Sequence, residues 1–226
     1  MANTHQRLTF ELGKRIFPYY YWRHVFDHLE KSERCIEIPI GFYFFNRCKD
    51  LDNFIEVGNV LPIHAESPKY HDVVDLYDKS GLPFVKNIDA STVDYKGKDV
   101  LSISTIEHMG TGDYDPNQQQ QKLSDTSAIT LIKRIIAESK NYLITIPIGY
   151  NKNLDNQIKN DLTIPRVFMK RYGYHIDKIG DIPKGCTQFD WEQVSESDEV
   201  WQCIYGGIGP GANAMCFITN DPWLLT

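Results

Sequence analysis

The sequence predicts an α/β fold built on a mostly parallel β-sheet, and two observations support this prediction. Between residues 54 and 110, four short apolar runs each end in a polar or acidic residue. Runs of this length, flanked by Gly, Pro and Asp, are typical of strands buried on both faces of a parallel sheet. Residues 124–140 then carry apolar side chains at helical spacing, and a fifth apolar run, 141–148, follows directly. The expected core is therefore a sheet covered by helices.

Length, charge and cysteine content limit the classes of protein to consider. A chain of 226 residues suits one domain, 1–226, with a sizeable core. A net charge of −6 argues against nucleic-acid binding, and the sequence contains no apolar run long enough for a membrane span. Five scattered cysteines without a C-x-x-C pair indicate reduced thiols, and with an N-terminus that lacks a secretory signal they predict a cytoplasmic protein.

The first fifty residues are predicted to form a helical cap, 1–50, on a core of 51–226. Residues 1–33 have aromatic or apolar side chains on most helical turns, with polar ones between them. The aromatic cluster at 19–22 has two interpretations: packing against the sheet, or a lid over a flat ligand face.

The polar ends of the four runs predict a ligand site. The first run closes on Glu56 and Gly58, and the second leads to Asp75. The third leads to Asp89, and the fourth runs into Glu107 and His108. In open parallel sheets ligands bind beyond the carboxyl ends of the strands. One nucleoside-shaped ligand would contact all four ends.

These motifs resemble those of the class I S-adenosylmethionine-dependent methyltransferases, over roughly residues 34–220. The most specific part is SISTIEHMG followed by ITIPIGYN, and ERCIEIPI with EVGNVLP is similar to methyltransferases found among bacterial and viral glycan-building genes. The resemblance implies a Rossmann-like three-layer sandwich. It also implies a mostly parallel seven-stranded sheet whose last strand is antiparallel, and S-adenosylmethionine as cofactor.

The resemblance also implies which residues bind this cofactor. In this family the turn after the first strand binds the methionine end of the cofactor, and the acid at the end of the second strand binds the ribose. The end of the third strand contacts the adenine, and the end of the fourth strand lies beside the methyl group. The cofactor-binding residues are thus Arg34, Glu56, Gly58, Asn59, Asp75, Asp89, Ala90, Ser104 and Thr105. Arg34 either holds the methionine carboxylate or forms a surface pair with Glu37. The family's first motif usually has two or three glycines and this chain has one, so Asn59 is expected to supply left-handed backbone.

Two residues are candidates for catalysis. His108 is the expected general base for a hydroxyl acceptor, because its ordinary pKa is near neutrality. In the other interpretation, Glu107 and His108 are structural. Asp113 lies in the polar loop after His108 and either contacts substrate or is a solvated loop acid. His64 and His71 lack metal-ligand spacing, so they are expected to be polar loop residues and no metal site is predicted.

The rest of the chain supplies the remaining elements. A short crossover of a turn or two is expected at 62–71, because two prolines interrupt it. Residues 149–158 read as a loop whose Tyr150, Asn151 and Asp155 are near the substrate. A short helix and a strand are expected within 163–176, strands at 189–195 and 213–220, and a short helix at 197–205. The Gly-rich 206–213 segment lacks the Lys-Ser/Thr of a phosphate-binding loop and reads as a turn.

Four functions remain open at this stage. The first is O-methylation of a sugar or glycan intermediate. The second is methylation of another small metabolite or lipid precursor. The third is a non-catalytic scaffold that retains the fold, suggested by the single glycine. The fourth, a nicotinamide-dependent oxidoreductase, ranks last because no G-x-G-x-x-G follows the first strand.

Overall fold

The structure, a computed structural model, describes residues 8–20, 31–48, 50–64, 71–112, 125–175, 187–207 and 211–226. Within these ranges, two strands form a hairpin and eight form one mixed sheet. The hairpin consists of β1 (Thr9–Leu12) and β2 (Arg15–Pro18). The sheet strands are β3 (Phe54–Val57), β4 (Asp72–Val74), β5 (Val85–Lys86), β6 (Asp99–Ile103), β7 (Asn141–Pro147), β8 (Arg166–His175), β9 (Thr187–Val194) and β10 (Ala214–Thr219).

The strand order changes direction near the centre of the sheet. The order is β5-β4-β3-β6-β7-β10-β8-β9, and the strands from β5 to β7 are parallel to one another. The chain moves outward from β3 to β5, then returns to the other side of β3 to form β6. The crevice between β3 and β6 is therefore a topological switch point, where open α/β sheets bind ligands.

Both faces of the sheet are covered. The helices are α1 (Arg34–Arg47), α2 (Leu61–His64), α3 (Ser127–Glu138), α4 (Lys152–Asn160) and α5 (Asp198–Trp201). Alternate residues of a strand point to opposite faces. Accordingly Val100 of β6 packs with α3 and α4 in one core, while Leu101 packs with α1 and the hairpin in the other. The chain is thus an α/β protein with a mostly parallel mixed sheet, compatible with a Rossmann-like fold.

The prediction of a helical cap over residues 1–33 is wrong for residues 9–18. The sequence there alternates, so that Phe10, Leu12 and Phe17 are buried while their neighbours face outward. Gly13 has φ +59° at the first position of the two-residue turn, the conformation that a tight hairpin requires. The hairpin is followed by α1, the one described helix of the predicted cap. Residues 21–30 lie outside the described ranges.

The sheet differs from the prediction in its number of strands. It has eight described strands, where seven were expected, and β9 is at one edge. The final strand β10 is antiparallel to both neighbours, as expected. The predicted helix at 124–140, the strand at 141–148 and the short helix at 197–205 are confirmed as α3, β7 and α5. One turn of helix, α2, occupies the start of the short crossover.

Residues 152–160, predicted as part of a loop, form α4. The side chain of Asn151 accepts a hydrogen bond from the Leu154 amide, which caps the first turn. Leu154 and Ile158 are four residues apart and both are buried, so a single helical face packs on the core. The many polar residues in this segment conceal that short apolar face. Within the described ranges, no helix combines the length and apolar character needed to cross a membrane.

Arg134 of α3 fixes the segment that follows β5. Its guanidinium donates to the carbonyl oxygens of Ser91 at 2.5 Å and Val93 at 2.6 Å. We expect Arg134→Lys to lose one of these bonds and to lower the free energy of unfolding by about 1 kcal/mol, because the group is one-third exposed. Urea denaturation measures the change. Lys133→Met removes only an exposed ion pair with Asp161 and should change stability by less than about 0.5 kcal/mol. Equal effects of both substitutions would contradict the role of Arg134.

Candidate functional site

A cleft of about 840 Å³ lies at the carboxyl ends of β3, β4 and β6. Its volume is in the range typical of small-molecule and cofactor sites. Eight of the residues predicted from the sequence line it: Arg34, Asn59, Asp75, Asp89, Ala90, Ser104, Thr105 and His108. The structure therefore brings together residues from four separate strand ends and the start of α1. Glu56 and Gly58 lie behind this lining, and Asp113 is outside the described residues.

Gly58 forms the turn at the end of β3. It has φ +92°, and its amide donates to the carbonyl of Val74 at 2.8 Å. A Cβ atom added at Gly58 would lie 2.0 Å from Oγ1 of Thr105. The backbone of this turn is thus in direct contact with the end of β6, and only glycine fits there.

Asn59 acts differently from the prediction, because its φ is not in the left-handed region. Its amide instead donates to Oδ2 of Asp75 at 3.0 Å, and its side-chain nitrogen donates to Oδ2 of Asp78 at 2.9 Å. The side-chain oxygen of Asn59 is buried and has no hydrogen-bond partner among the described residues. Asn59 therefore ties β3 to the loop after β4 and leaves one buried acceptor available to a ligand.

Glu56 supports the turn from beneath. Its Oε1 accepts from the amides of Val60 at 3.1 Å and Leu61 at 2.6 Å, and its Oε2 is 2.6 Å from Nε2 of His71. His71, expected to be a polar loop residue, is buried against Phe54 instead. A fully buried carboxyl group with these partners fixes the path of the backbone between β3 and α2. Its action on a ligand is therefore through the turn.

Asp75 follows β4 directly and lines the cleft. Besides the amide of Asn59, its carboxylate accepts from the amide of Tyr77 at 3.1 Å. Each carboxylate oxygen has two lone pairs, so both oxygens retain acceptor capacity for ligand hydroxyl groups. Asp75 is thus oriented by backbone amides on both sides.

Asp89 and Ala90 form the adjacent wall. Oδ1 of Asp89 accepts from the amide of Ser91 at 2.8 Å and so caps the single 3₁₀ turn Ala90–Thr92. The carbonyl of Ala90 accepts from the hydroxyl of Tyr95 at 2.8 Å. These bonds, together with those that Arg134 donates to the carbonyls of Ser91 and Val93, hold the small residue Ala90 beside the cleft.

The end of β6 is fixed by the buried carboxyl group of Glu37, which was predicted as a possible partner of Arg34 but not as a cofactor-binding residue. Oε1 of Glu37 accepts from the hydroxyls of Ser104 and Thr145, both at 2.5 Å, and its Oε2 accepts from Arg34 at 3.0 Å. Ser104 has φ +39°, a conformation uncommon for residues other than glycine. Burial raises the pKa of Glu37, and the neighbouring Arg34 opposes the shift. The partner of Arg34 is thus a fully buried acid within the site.

His108 lies in the 3₁₀ turn Ile106–His108, directly after β6. Its Nδ1 is 2.8 Å from the hydroxyl of Tyr150, and its Nε2 is 3.8 Å from Oε1 of Glu107. Glu107 is buried, and this burial raises its pKa well above the ordinary value. Tyr150, which was predicted to lie near the site, therefore contacts the candidate base directly.

Carboxylates outnumber cations along the cleft. Asp75, Asp78, Asp89 and Asp125 line it, against Arg34 and Lys79. The site therefore favours ligands that carry positive charge and disfavours phosphates. Among the described residues, no group of three or more His, Cys, Asp and Glu side chains is arranged to hold a metal ion.

Comparisons with protein-family models, with curated proteins and with solved structures found no match. The functional assignment therefore depends on the cleft and on the motifs that line it.

Proposed function

We propose that this chain is an S-adenosylmethionine-dependent methyltransferase with a Rossmann-like three-layer core, to which β9 is added as an eighth strand. The observation that carries the proposal is the cleft, where the predicted residues of four strand ends lie at one switch point. The motifs of the class I methyltransferases assign each strand end to a different part of the cofactor. Their convergence on one cleft is what such a ligand requires.

The residues present suit this cofactor. In the proposed arrangement Asp75 accepts hydrogen bonds from the ribose hydroxyls, and Asp89 and Ala90 contact the adenine. Arg34 binds the methionine carboxylate, as the motifs imply. Gly58 leaves room for the turn to approach the ligand, and the unpartnered oxygen of Asn59 offers a buried acceptor. S-adenosylmethionine supplies a methyl group activated by a sulfonium charge.

The charge of the cleft supports this cofactor over a nicotinamide dinucleotide. A sulfonium and an amino group are favoured in a cleft lined by four carboxylates and two cations, whereas the negative charges of a pyrophosphate are disfavoured there. The turn after β3 also lacks the glycines with which dinucleotide-binding folds approach a pyrophosphate.

The proposed acceptor is a hydroxyl group of a sugar or glycan intermediate in the cytoplasm. His108 lies after β6, on the side that the motifs assign to the methyl group, and a histidine suits deprotonation of a hydroxyl. This part of the proposal rests on the resemblance to glycan-modifying methyltransferases. Another small metabolite or a lipid precursor is the alternative acceptor.

Removing the carboxylate of Asp75 tests cofactor binding. We expect Asp75→Ala to weaken binding of S-adenosylmethionine by at least about tenfold, because a charge-assisted hydrogen bond contributes roughly 1.5–3 kcal/mol. Isothermal titration calorimetry measures the affinity, and thermal unfolding reports any loss of the bonds to Asn59 and Tyr77. Asp72→Ala is the matched control, because Asp72 lies on the same strand and pairs with Lys86 at the surface. Unchanged affinity in Asp75→Ala would show that the ribose is held elsewhere.

A further inference from the structure

His108 is held between two side chains that face its two ring nitrogens. The hydroxyl of Tyr150 is at Nδ1 and the carboxyl of Glu107 is near Nε2. Tyr150 follows β7, and His108 follows β6. These strands are parallel neighbours with Ile103 opposite Thr145, so their ends lie at the same edge of the sheet. The sequence separates the two residues by 42 positions, and the register brings them into contact.

The contact between Tyr150 and His108 is part of a fixed arrangement. The side chain of Asn151 donates to the carbonyl of Glu107 at 2.8 Å, which joins the two strand ends directly. The amide of Gly149 donates to Oδ2 of Asp155 at 2.8 Å and holds the turn before Tyr150. The rings of His108 and Tyr150 are 4.7 Å apart, and Tyr205 packs against the far side of Tyr150 at 5.1 Å. Free rotation of the Tyr150 side chain is therefore restricted.

Burial separates the two sides of the imidazole. Glu107 is only 1% exposed, and its Oε2 has no hydrogen-bond partner among the described residues. The Nε2 atom of His108 lies 3.8 Å from the other oxygen, Oε1, of this buried group. Tyr150 is half-buried, so the Nδ1 side faces a residue that a ligand can approach. A phenol oxygen can donate its own proton while it accepts another hydrogen bond.

We propose that Tyr150 relays the proton of a hydroxyl acceptor to Nδ1 of His108. The proposal rests on the proposed function and names the path by which the base acts. The prediction of direct deprotonation by His108 becomes deprotonation through one intervening hydroxyl.

The atoms and charges of this step balance. The acceptor oxygen forms a bond to the methyl carbon, and the carbon–sulfur bond breaks with its electron pair remaining on sulfur. The acceptor proton moves to the Tyr150 oxygen as the Tyr150 proton moves to Nδ1 of His108. The positive charge present at first on the sulfonium is then on the imidazolium, which later releases a proton to water. The Nε2–H group of the imidazolium faces the carboxyl of Glu107.

The relay requires a particular tautomer of His108 at rest. Because Nδ1 accepts the hydrogen bond of Tyr150, the ring proton must be on Nε2. If the proton were on Nδ1, it would be donated to the Tyr150 oxygen, and the relay could not run. The tautomer is therefore a direct test that requires neither cofactor nor acceptor.

Nitrogen-15 NMR of histidine-labelled full-length protein near pH 8 measures this tautomer. His108 is assigned from the signals lost in His108→Gln. We expect Nε2 to carry the proton, and the Nδ1 signal to be that of a nitrogen accepting a hydrogen bond. In Tyr150→Phe, which keeps the packing ring, the Nδ1 signal should move toward that of a nitrogen without a hydrogen bond. Tyr172→Phe removes a hydroxyl on β8, outside the cleft lining, and should leave both signals unchanged.

Two measurements separate failure of the relay from failure of the proposed function. The relay is overturned if Nδ1 carries the proton in the wild-type protein. It is also overturned if the Nδ1 signal does not change in Tyr150→Phe. Titration with S-adenosylmethionine is performed on the same samples. We expect equal affinity in wild type and Tyr150→Phe, since the hydroxyl faces the base and not the nucleoside. Absence of binding to the wild-type protein overturns the methyltransferase proposal, whatever the tautomer.

Discussion

Replacement of Gly58 by alanine should weaken cofactor binding by about a hundredfold. The added Cβ would be 2.0 Å from Oγ1 and 2.8 Å from Cβ of Thr105, so rotation of the threonine side chain cannot remove the overlap. The turn or the end of β6 must move, and both border the cleft. A misplacement of about 1 Å at a reacting site can lower a rate by about a hundredfold, and we expect a loss of similar size in cofactor affinity. The positive φ adds strain of roughly 1–3 kcal/mol to the folded state.

Gly81→Ala is a matched control for this experiment. Gly81 also has a positive φ, +68°, but an added Cβ would meet nothing within 4 Å. It should therefore show the strain without the overlap: a modest loss of thermal stability and unchanged affinity for S-adenosylmethionine. Calorimetric titration and thermal unfolding of both variants give the comparison. If Gly58→Ala bound the cofactor as well as Gly81→Ala, the turn after β3 would not be part of the cofactor site.

Replacement of His108 by alanine should lower turnover by about a hundredfold or more, the usual contribution of a general base. Affinity for S-adenosylmethionine should change little, because the imidazole serves the acceptor. The pH–rate profile should lose its ascending limb, since only a neutral imidazole accepts a proton and this form increases as the pH rises. Mass spectrometry of nucleotide sugars and short glycans incubated with the cofactor identifies the acceptor for these measurements.

The opposite pattern would assign His108 a structural role. In that case His108→Ala would weaken cofactor binding and leave the pH dependence intact. Because Tyr150 acts through His108, Tyr150→Phe in the His108→Ala background should cause no further loss of turnover. A large additional loss would show that the two residues act independently.

Local patterns in the sequence predicted the parts of the site that lie in continuous segments. Asp75 directly follows an apolar run, whereas Asp89 and His108 come three and five residues after the ends of β5 and β6. The helical spacing of apolar residues in 124–140 predicted α3 equally directly. The hairpin at 9–18 was predicted as helix because its two buried aromatic residues, Phe10 and Phe17, are compatible with the spacing of a helix as well as with that of strands. Its turn signal, Gly13 followed by lysine, was the available indication of a hairpin.

Local patterns of this kind could not predict the contacts between segments that are distant in the sequence. Glu37 joins Arg34, Ser104 and Thr145, which come from α1, the end of β6 and the middle of β7. Thr145 lies within an otherwise apolar strand, and its position there was the only local sign of a buried polar partner. Asn59 was assigned a backbone role on its residue type, whereas its bonds to Asp75 and Asp78 depend on the packing of β4 beside β3. Register and packing, which no single segment encodes, determine these features.

The position of β10 has a consequence for how the chain is made. The last of the described strands lies in the interior of the sheet, between β7 and β8. Within the described part of the chain it is the strand that joins β8 and β9 to the rest of the sheet. During synthesis the five parallel strands can therefore assemble early, while the β8–β9 pair waits for residues 214–219 to leave the ribosome. A protein that ended before Ala214 would lose an interior strand that connects two parts of the sheet, and not merely an edge strand. An early stop would thus leave two unpaired strand edges, which are templates for aggregation.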